Sequence, residues 1–291
     1  MKDTTGDKVF NLCSYIILLA LGLSCLLPLV NTLALSLSDT SGIMSGKVTF
    51  WPVGFNWKAY DSLINGTSII RSFGNSVLIT VVGVLLSMTA TIMAAYPLSK
   101  NHFVFRRAIT LAVVFTMIFT GGMIPTYLVV KSLGLLNTYG ALWFPALVSV
   151  YNMLILKTFF ENIPVELEES AKIDGASEGR LLVTIVIPLA KPVLAALTLF
   201  YGVTFWNAFM SVTLYISDST KTNLMVMVQQ MVQNQQLMTQ LGNLQPEDMT
   251  SMTPESIKSA AVIILVAPLL AVYPFVQKYF VKGVMIGAIK G

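Results

Sequence analysis

The sequence predicts an all-α, polytopic membrane protein with about six transmembrane helices, and three observations carry that reading: an apolar composition, clustered charges, and long uncharged runs between the clusters. Hydrophobic residues fill 55% of the 291 positions and charged residues only 11%, too little polar surface for a soluble globule. The 18 Lys+Arg and 14 Asp+Glu give a formal charge of +4. Runs free of Asp, Glu, Lys and Arg extend over Val9 to Ser38, Ser72 to Ser99, Ala108 to Val130, Ser132 to Leu156, Pro192 to Ser217 and Ser259 to Gln277. Each can cross a hydrocarbon core of about 30 Å, because a helix rises about 1.5 Å per residue and needs roughly 20 residues.

Taken in order, the spans fall at 10–36, 72–99, 108–130, 137–158, 185–211 and 258–280 of a single transmembrane domain covering 1–291. Lys2 and Lys8 precede the first run, but that run is far longer than the apolar region of a signal peptide and ends in no small-x-small cleavage site, so it reads as a retained span. Cys13 and Cys25 lie inside it without partners at metal-ligand spacing and read as small core or lipid-facing residues. Asp39 to Arg71 carries Trp51, Trp57 and Tyr60, which suit a membrane boundary or a partner. Thr222 to Pro246 is uncharged, yet ten of its 25 residues are Asn or Gln, so hydropathy rejects it as a span. It belongs to a long external loop, 218–258, that is either folded against something outside the membrane or a disordered tether.

Short loops rich in Lys and Arg stay on the cytoplasmic side. An inside N-terminus places Lys2, Lys8, Lys100, Arg106, Arg107, Lys157, Lys172, Arg180, Lys191, Lys278, Lys282 and Lys290 in the cytoplasm. Lys47, Lys58, Arg71, Lys131, Lys221 and Lys258 fall outside. Twelve against six favours cytoplasmic termini at both ends and an even number of spans.

Chemistry is scarce. A His-containing zinc site or a Ser/His/Asp triad would rest on His102 alone, and its neighbours Lys100, Arg106 and Arg107 mark an interfacial basic loop. No Gly-rich phosphate loop is present, so ATP is not bound by this chain alone. The spans hold no ionisable residue of the kind that serves ion-coupled carriers, which weakens a secondary carrier. A membrane enzyme would need a nucleophile, metal ligands or an acid–base pair facing a cavity. The expected catalytic, metal, cofactor and nucleic-acid sites are therefore none.

The informative loop is 161–180, where Glu161, Glu166, Glu168, Glu169, Lys172, Asp174, Glu178 and Arg180 crowd between two apolar runs. Pro164 can open a short helix there, acidic residues then sit at the favourable end of its dipole, and Gly175 can end it. Ser170, Ala171 and Gly175 are small and leave one face nearly bare, able to slide into a groove on another protein.

Here the residues become recognisable. Glu169-Ser170-Ala171-Lys172-Ile173-Asp174-Gly175-Ala176, followed by Ile185, Ile187 and Pro188, resembles the Glu-Ala-Ala loop of the permease subunits of binding-protein-dependent ATP-binding cassette importers. That pattern runs Glu-Ala-Ala, three residues, Gly, nine residues, Ile-x-Leu-Pro; the spacing agrees, with Ser170 and Ile187 as substitutions. Phe205-Trp206-Asn207-Ala208-Phe209 resembles the Trp-Asn signature of carbohydrate permeases, with Ala208 where a polar residue is common. The end, Gly283-Val284-Met285-Ile286-Gly287-Ala288-Ile289-Lys290-Gly291, is similar to the tail of the smaller maltose-type permease subunit. Together with Tyr273 to Phe280 it resembles the Gram-positive branch that imports complex oligosaccharides.

The resemblance implies a type I importer permease fold with a short cytoplasmic coupling helix, in a multi-pass subunit of the bacterial plasma membrane. It implies a second homologous permease, two ATPase subunits holding ATP and Mg, a lipid-anchored extracellular solute-binding protein, an oligosaccharide substrate and surrounding membrane lipid. Glu169, Ser170, Ala171, Asp174, Gly175 and Ala176 would meet the ATPase, with Lys290 and Gly291 reaching between the two ATPases. A permease for another solute, such as a glycerophosphodiester or polyamine, stays open, as does a secondary carrier. For the sugar path the expected residues are Tyr151, Asn152, Tyr201, Trp206 and Asn207, since aromatic faces stack on sugar rings and amides supply paired hydrogen bonds. Helix packing or interfacial anchoring is the competing role for each. The external loop corresponds in position to one that, in maltose-type relatives, probes the binding protein's cleft.

Overall fold

The computed structural model describes residues 5–241 and 253–288. Among the described residues the chain is helical and holds no strand. In order the helices are α1 (Thr5–Ser36), α2 (Thr40–Met44), α3 (Lys58–Gly66), α4 (Ile69–Ser99), α5 (Arg106–Ile118), α6 (Met123–Ser132), α7 (Gly140–Trp143) and α8 (Val150–Glu161). They continue as α9 (Val165–Ile173), α10 (Glu178–Leu181), α11 (Ile187–Leu189), α12 (Lys191–Trp206), α13 (Met210–Tyr215), α14 (Leu224–Leu241) and α15 (Pro254–Ala288).

Among the described residues, three stretches are long and apolar enough to cross a membrane: Phe10–Ser36, Ile69–Ser99 and Pro254–Pro274. Two helix pairs reach that length only when joined across a bend, 115° between α5 and α6 and 82° where Glu178–Leu189 meets α12. Each bend has a local cause. Gly121 and Gly122 interrupt the first pair, with Gly122 at φ 83°. In the second, Leu182–Val186 forms a π-helical turn just before Pro188, which has no N–H to give an α-helical turn, and Ala190 with Pro192 restarts the helix. The stretch expected as a span at 137–158 is not one helix. It is α7 and α8 with an extended break that ends at Ser149, ψ 120°, and α8 has 12 residues.

The chain divides into two compact units, Met1–Ile70 with Val228–Ala267, and Arg71–Met227 with Pro268–Gly291. In the first, α1 exposes a long row of apolar side chains from Phe10 to Leu27. In water that row would be costly, but lipid tails are as apolar as leucine, so a spanning helix can leave it uncovered. Past its end the chain folds on itself by hydrogen bonds. Asp39 caps α2 by accepting from Gly42 N–H at 2.7 Å, Val53 N–H donates to Ser38 Oγ at 3.0 Å, and Ser36 Oγ and Tyr60 Oη share a 2.8 Å bond. Gly54, at φ 63°, lies so close that a Cβ would stand 2.4 Å from the Asp39 carboxylate. Trp51 and Phe55 are left 82% and 70% exposed.

In the second unit two buried clusters stand out. One joins Tyr96 and Leu98 of α4 to Leu156 and Phe160 of α8, Ala171 of α9, and Leu181 to Leu197. The other joins Ile79 of α4 to Leu142, Tyr201, Phe205, Val212 and Tyr215. A bracket of amides closes the far end: Asn137, at φ 60°, takes Asp218 N–H on its Oδ1 at 3.0 Å, and Asn75 Nδ2 donates to the carbonyls of Thr220 and Thr222, each at 2.9 Å. Leu224 N–H donates to Ser76 Oγ at 2.8 Å, where α14 begins. The described part of the amide-rich external loop is thus helical, ending at Leu241.

Candidate functional site

The charged loop folds as its punctuation suggests. Pro164 precedes α9, which runs Val165–Ile173 with Glu166 and Glu168 in its first turn and Lys172 in its last. Gly175, at φ 77°, turns the chain out of the helix. Ala176 N–H reaches back to the Ala171 carbonyl at 2.9 Å and Gly175 N–H to the Lys172 carbonyl at 3.0 Å. Those two bonds are the Schellman closure, in which a left-handed residue lets two orphan carbonyls be satisfied at once. Ala171 and Gly175 therefore serve one device, and the half-buried Ala176 joins Ala171 against the same apolar cluster.

Ala171 differs from its expected place. At 7% exposure it faces inward against its own chain, while Ser170 and Gly175, the other small residues, stay exposed. The outward side is made by Val165, Glu169 and Ile173, spaced four apart along one face. Val165 is 59% and Ile173 86% exposed, and Glu169 is exposed between them. Ser170 is exposed with its hydroxyl on the Leu167 carbonyl at 3.1 Å, and Asp174 is an exposed cap. Ile173 was not singled out in the sequence, although its place just before the cap forces it outward once Ala171 is buried.

Ion pairs surround α9. Lys172 Nζ meets Glu178 Oε1 at 2.8 Å, and Tyr96 Oη donates to Glu178 Oε2 at 2.7 Å. Lys100 pairs with Glu168, Arg106 with Glu161, and Lys157 with Glu161 at 2.7 Å. The Glu178 carboxylate holds the Lys172 ammonium above the ordinary lysine range, chiefly through their hydrogen bond. Lys290 and Gly291 lie outside the described residues.

The path residues gather around two clefts, each of about 480 Å³. Tyr151, Asn152 and Tyr201 line the first with Phe200 and Thr204, and Asn207 lines the second with Met123, Phe209 and Ser211. Pro145, Ala146, Thr204 and Phe205 border both. Among the described residues, no charged side chain lines either. Tyr151 is 58% exposed, while Asn152 and Tyr201 are 5% and 3% exposed. The Tyr201 hydroxyl is occupied: it accepts from Ser149 N–H at 2.9 Å and shares a 2.7 Å bond with Thr91 Oγ1. It pins the break before α8 to α4, which sets Tyr151 in place. Trp206 lines neither cleft and packs edge-on against Phe73 at 5.8 Å, the helix-packing alternative.

Comparison with known proteins places this arrangement. The chain is 41% identical to the polygalacturonan/rhamnogalacturonan transport system permease protein of Bacillus subtilis over 98% of its own length and 99% of that protein's. It is also 41% identical to protein LplC of the same organism, covering 100% of this chain and 98% of that one. Its fold matches the crystal structure of a bacterial ABC transporter involved in the import of the acidic polysaccharide alginate, with TM-score 0.86, 28% identity, and 96% and 99% of the two chains covered. Residues 87–286 match the family described as binding-protein-dependent transport system inner membrane component, and the chain belongs to that family.

Proposed function

We propose that this chain is one permease half of an ATP-driven importer and that it passes oligosaccharides delivered by an extracellular solute-binding protein. The observation that carries the reading is α9: its inner side is clamped to the chain, and its outer side offers Val165, Glu169 and Ile173 to something else. A glutamate framed by two exposed apolar residues suits a cleft with a cation at its floor, where a charge-assisted bond is stronger than at a wet surface. Glu169, Val165 and Ile173 are the docking residues, Ala171, Gly175 and Ala176 hold the helix that bears them, and Ser170 and Asp174 edge the contact. ATP and Mg are held by the partner ATPases, and a second permease closes the path.

The two clefts suit a sugar ring. Tyr151, half exposed, offers an aromatic face, and Asn152 and Asn207 add amides to walls that also carry Ser149, Thr204 and Ser211. Relatives are named for polygalacturonan/rhamnogalacturonan and for the acidic polysaccharide alginate. The uncharged walls here set no preference for an acidic sugar over a neutral one, so that choice falls to the binding protein. Six crossings and cytoplasmic termini complete the reading, with α7 and α8 and each bent pair counted as single passages.

Purification through this chain, followed by reconstitution in proteoliposomes, tests it. The expected result is a co-purifying ATPase and uptake of labelled fragments, from a panel of polygalacturonan-derived and neutral oligosaccharides, that needs both ATP and the binding protein. Uptake driven by an ion gradient without nucleotide would establish a secondary carrier instead.

A further inference from the structure

The ion pairs around α9 are arranged as a ladder. Tyr96 lies in the last turn of α4 and Lys100 just past its end, four residues on, and Glu168 and Lys172 lie one turn apart on α9. One rung runs from Tyr96 Oη to Glu178 Oε2 at 2.7 Å and on from Glu178 Oε1 to Lys172 Nζ at 2.8 Å. The other joins Lys100 to Glu168. Lys100 Nζ also lies 4.5 Å from the centroid of the Tyr96 ring, which ties the two rungs together at the α4 end. The Lys100 and Glu168 side chains are only 9% and 15% exposed, so salt screens them less than a surface pair. Behind the rungs, the Tyr96 ring meets Phe160 edge-on at 6.2 Å, beside the buried Ala171.

A single contact between two helices leaves one free to rotate about it. Two rungs separated by a helical turn, about 5.4 Å, hold orientation as well as position. We propose that Tyr96, Lys100, Glu168, Lys172 and Glu178 form a two-rung strap that makes α9 and the end of α4 move as one piece. A push on α9 is then delivered to α4 instead of being absorbed by the turns at Ile163 to Pro164 and Asp174 to Ser177. These are positioning residues: none belongs to the outward stripe, and none lines a cleft. The inference rests on the reading of α9 as the docking helix.

The test uses the whole importer in nanodiscs, with Cys13→Ser and Cys25→Ser as background and nitroxide labels at His102→Cys and Glu166→Cys. The spin–spin distance is expected to be a single narrow population that keeps its width with or without Mg and the non-hydrolysable analogue AMP-PNP. Adding Tyr96→Phe and Lys100→Gln should split or broaden that population when the nucleotide is bound. In the unlabelled complex the same pair of changes should lower uptake per ATP hydrolysed by about fivefold or more, the lower end of ordinary coupling between sites. Lys100→Glu should uncouple in the same way, and Lys100→Glu with Glu168→Lys should restore coupling, a rescue that loss of packing alone would not give. Unchanged distances and unchanged uptake per ATP in the variants, in a complex that still hydrolyses ATP, would overturn the strap and leave the importer standing. A purified complex with no ATPase would remove the importer reading and the strap with it.

Discussion

The charged loop at 161–180 and the two clefts beside Tyr201 belong to the same compact unit and solve opposite problems. Around the loop, Lys100, Arg106, Lys157 and Lys172 each meet a carboxylate. Around the clefts there is no charge, and polar groups such as the Tyr201 hydroxyl are spent inside the chain. The difference teaches where rigidity is needed. On the function proposed above, a helix that receives force is fixed to its own subunit by directional bonds, whereas a surface that a sugar slides over binds weakly and evenly enough to let it go.

The sharpest way to break this contrast is at Gly175. Gly175→Leu forces a branched side chain to φ 77°, which costs about 1–2 kcal/mol at that residue alone. Because no atom lies within 4 Å of the added Cβ, the cost is in the backbone and falls on the α9 closure. Uptake should drop at least tenfold while membrane insertion is kept, with Glu169→Ala acting likewise. Gly175→Asn, which tolerates that conformation, should retain most of the uptake. If both Gly175 variants transport equally, the closure is not needed.

Next in size is Tyr201→Phe, which removes the hydroxyl that joins Thr91 and Ser149. Leaving the Ser149 N–H without its acceptor should cost about 1–3 kcal/mol, seen as a lower thermal midpoint in detergent. Tyr151→Ala is the complement: half exposed, it should lower sugar uptake several-fold, by loss of a stacking face worth about 0.5–1.5 kcal/mol, and leave the midpoint unchanged. Trp206→Leu should do the reverse, lowering the midpoint. An uptake defect in Trp206→Leu without a stability loss would move that residue into the path.

The smallest expected effect is with pH. Lys172 is held above its ordinary value by Glu178, so its contribution is complete below the unfolded lysine pKa and is lost only as pH rises through the raised one. Asp218 is held below its ordinary value, first by the Thr220 hydroxyl and then by its N–H. Its contribution is present above the unfolded carboxylate pKa and lost as pH falls through the depressed one. Both changes lie outside the range of about 6–8, where stability should stay flat as far as these two groups decide it. A step in the thermal midpoint inside that range, absent from Lys172→Met or Asp218→Asn, would contradict the assignment.

Much of this was legible in the amino acids. Pro164 and Gly175 announced the ends of α9, because proline has no N–H to give a preceding turn and glycine alone enters the left-handed region without strain. Uncharged runs located α1, α4 and α15, because length and hydropathy alone decide whether a helix can cross. The break inside 137–158 has one local sign, Pro145, because an uncharged run reports composition and not continuity while a proline disfavours helix at the residue before it. The rungs from Tyr96 to Glu178 and from Lys100 to Glu168 link residues 82 and 68 positions apart, which no local pattern displays. Ala171 was read as part of a bare face because its size was visible and its direction was not. Trp206 and Tyr201 shared an aromatic signature, and only packing separated the one against Phe73 from the one at the cleft wall.

The unwound residues between α5 and α6 carry a consequence for what must surround the subunit. Thr120, Gly121 and Gly122 sit outside any helix, and peptide groups with no helical bonds are tolerated at membrane depth only beside protein or water. Left exposed by its own chain, that stretch needs water or cover from outside the subunit wherever it lies at membrane depth.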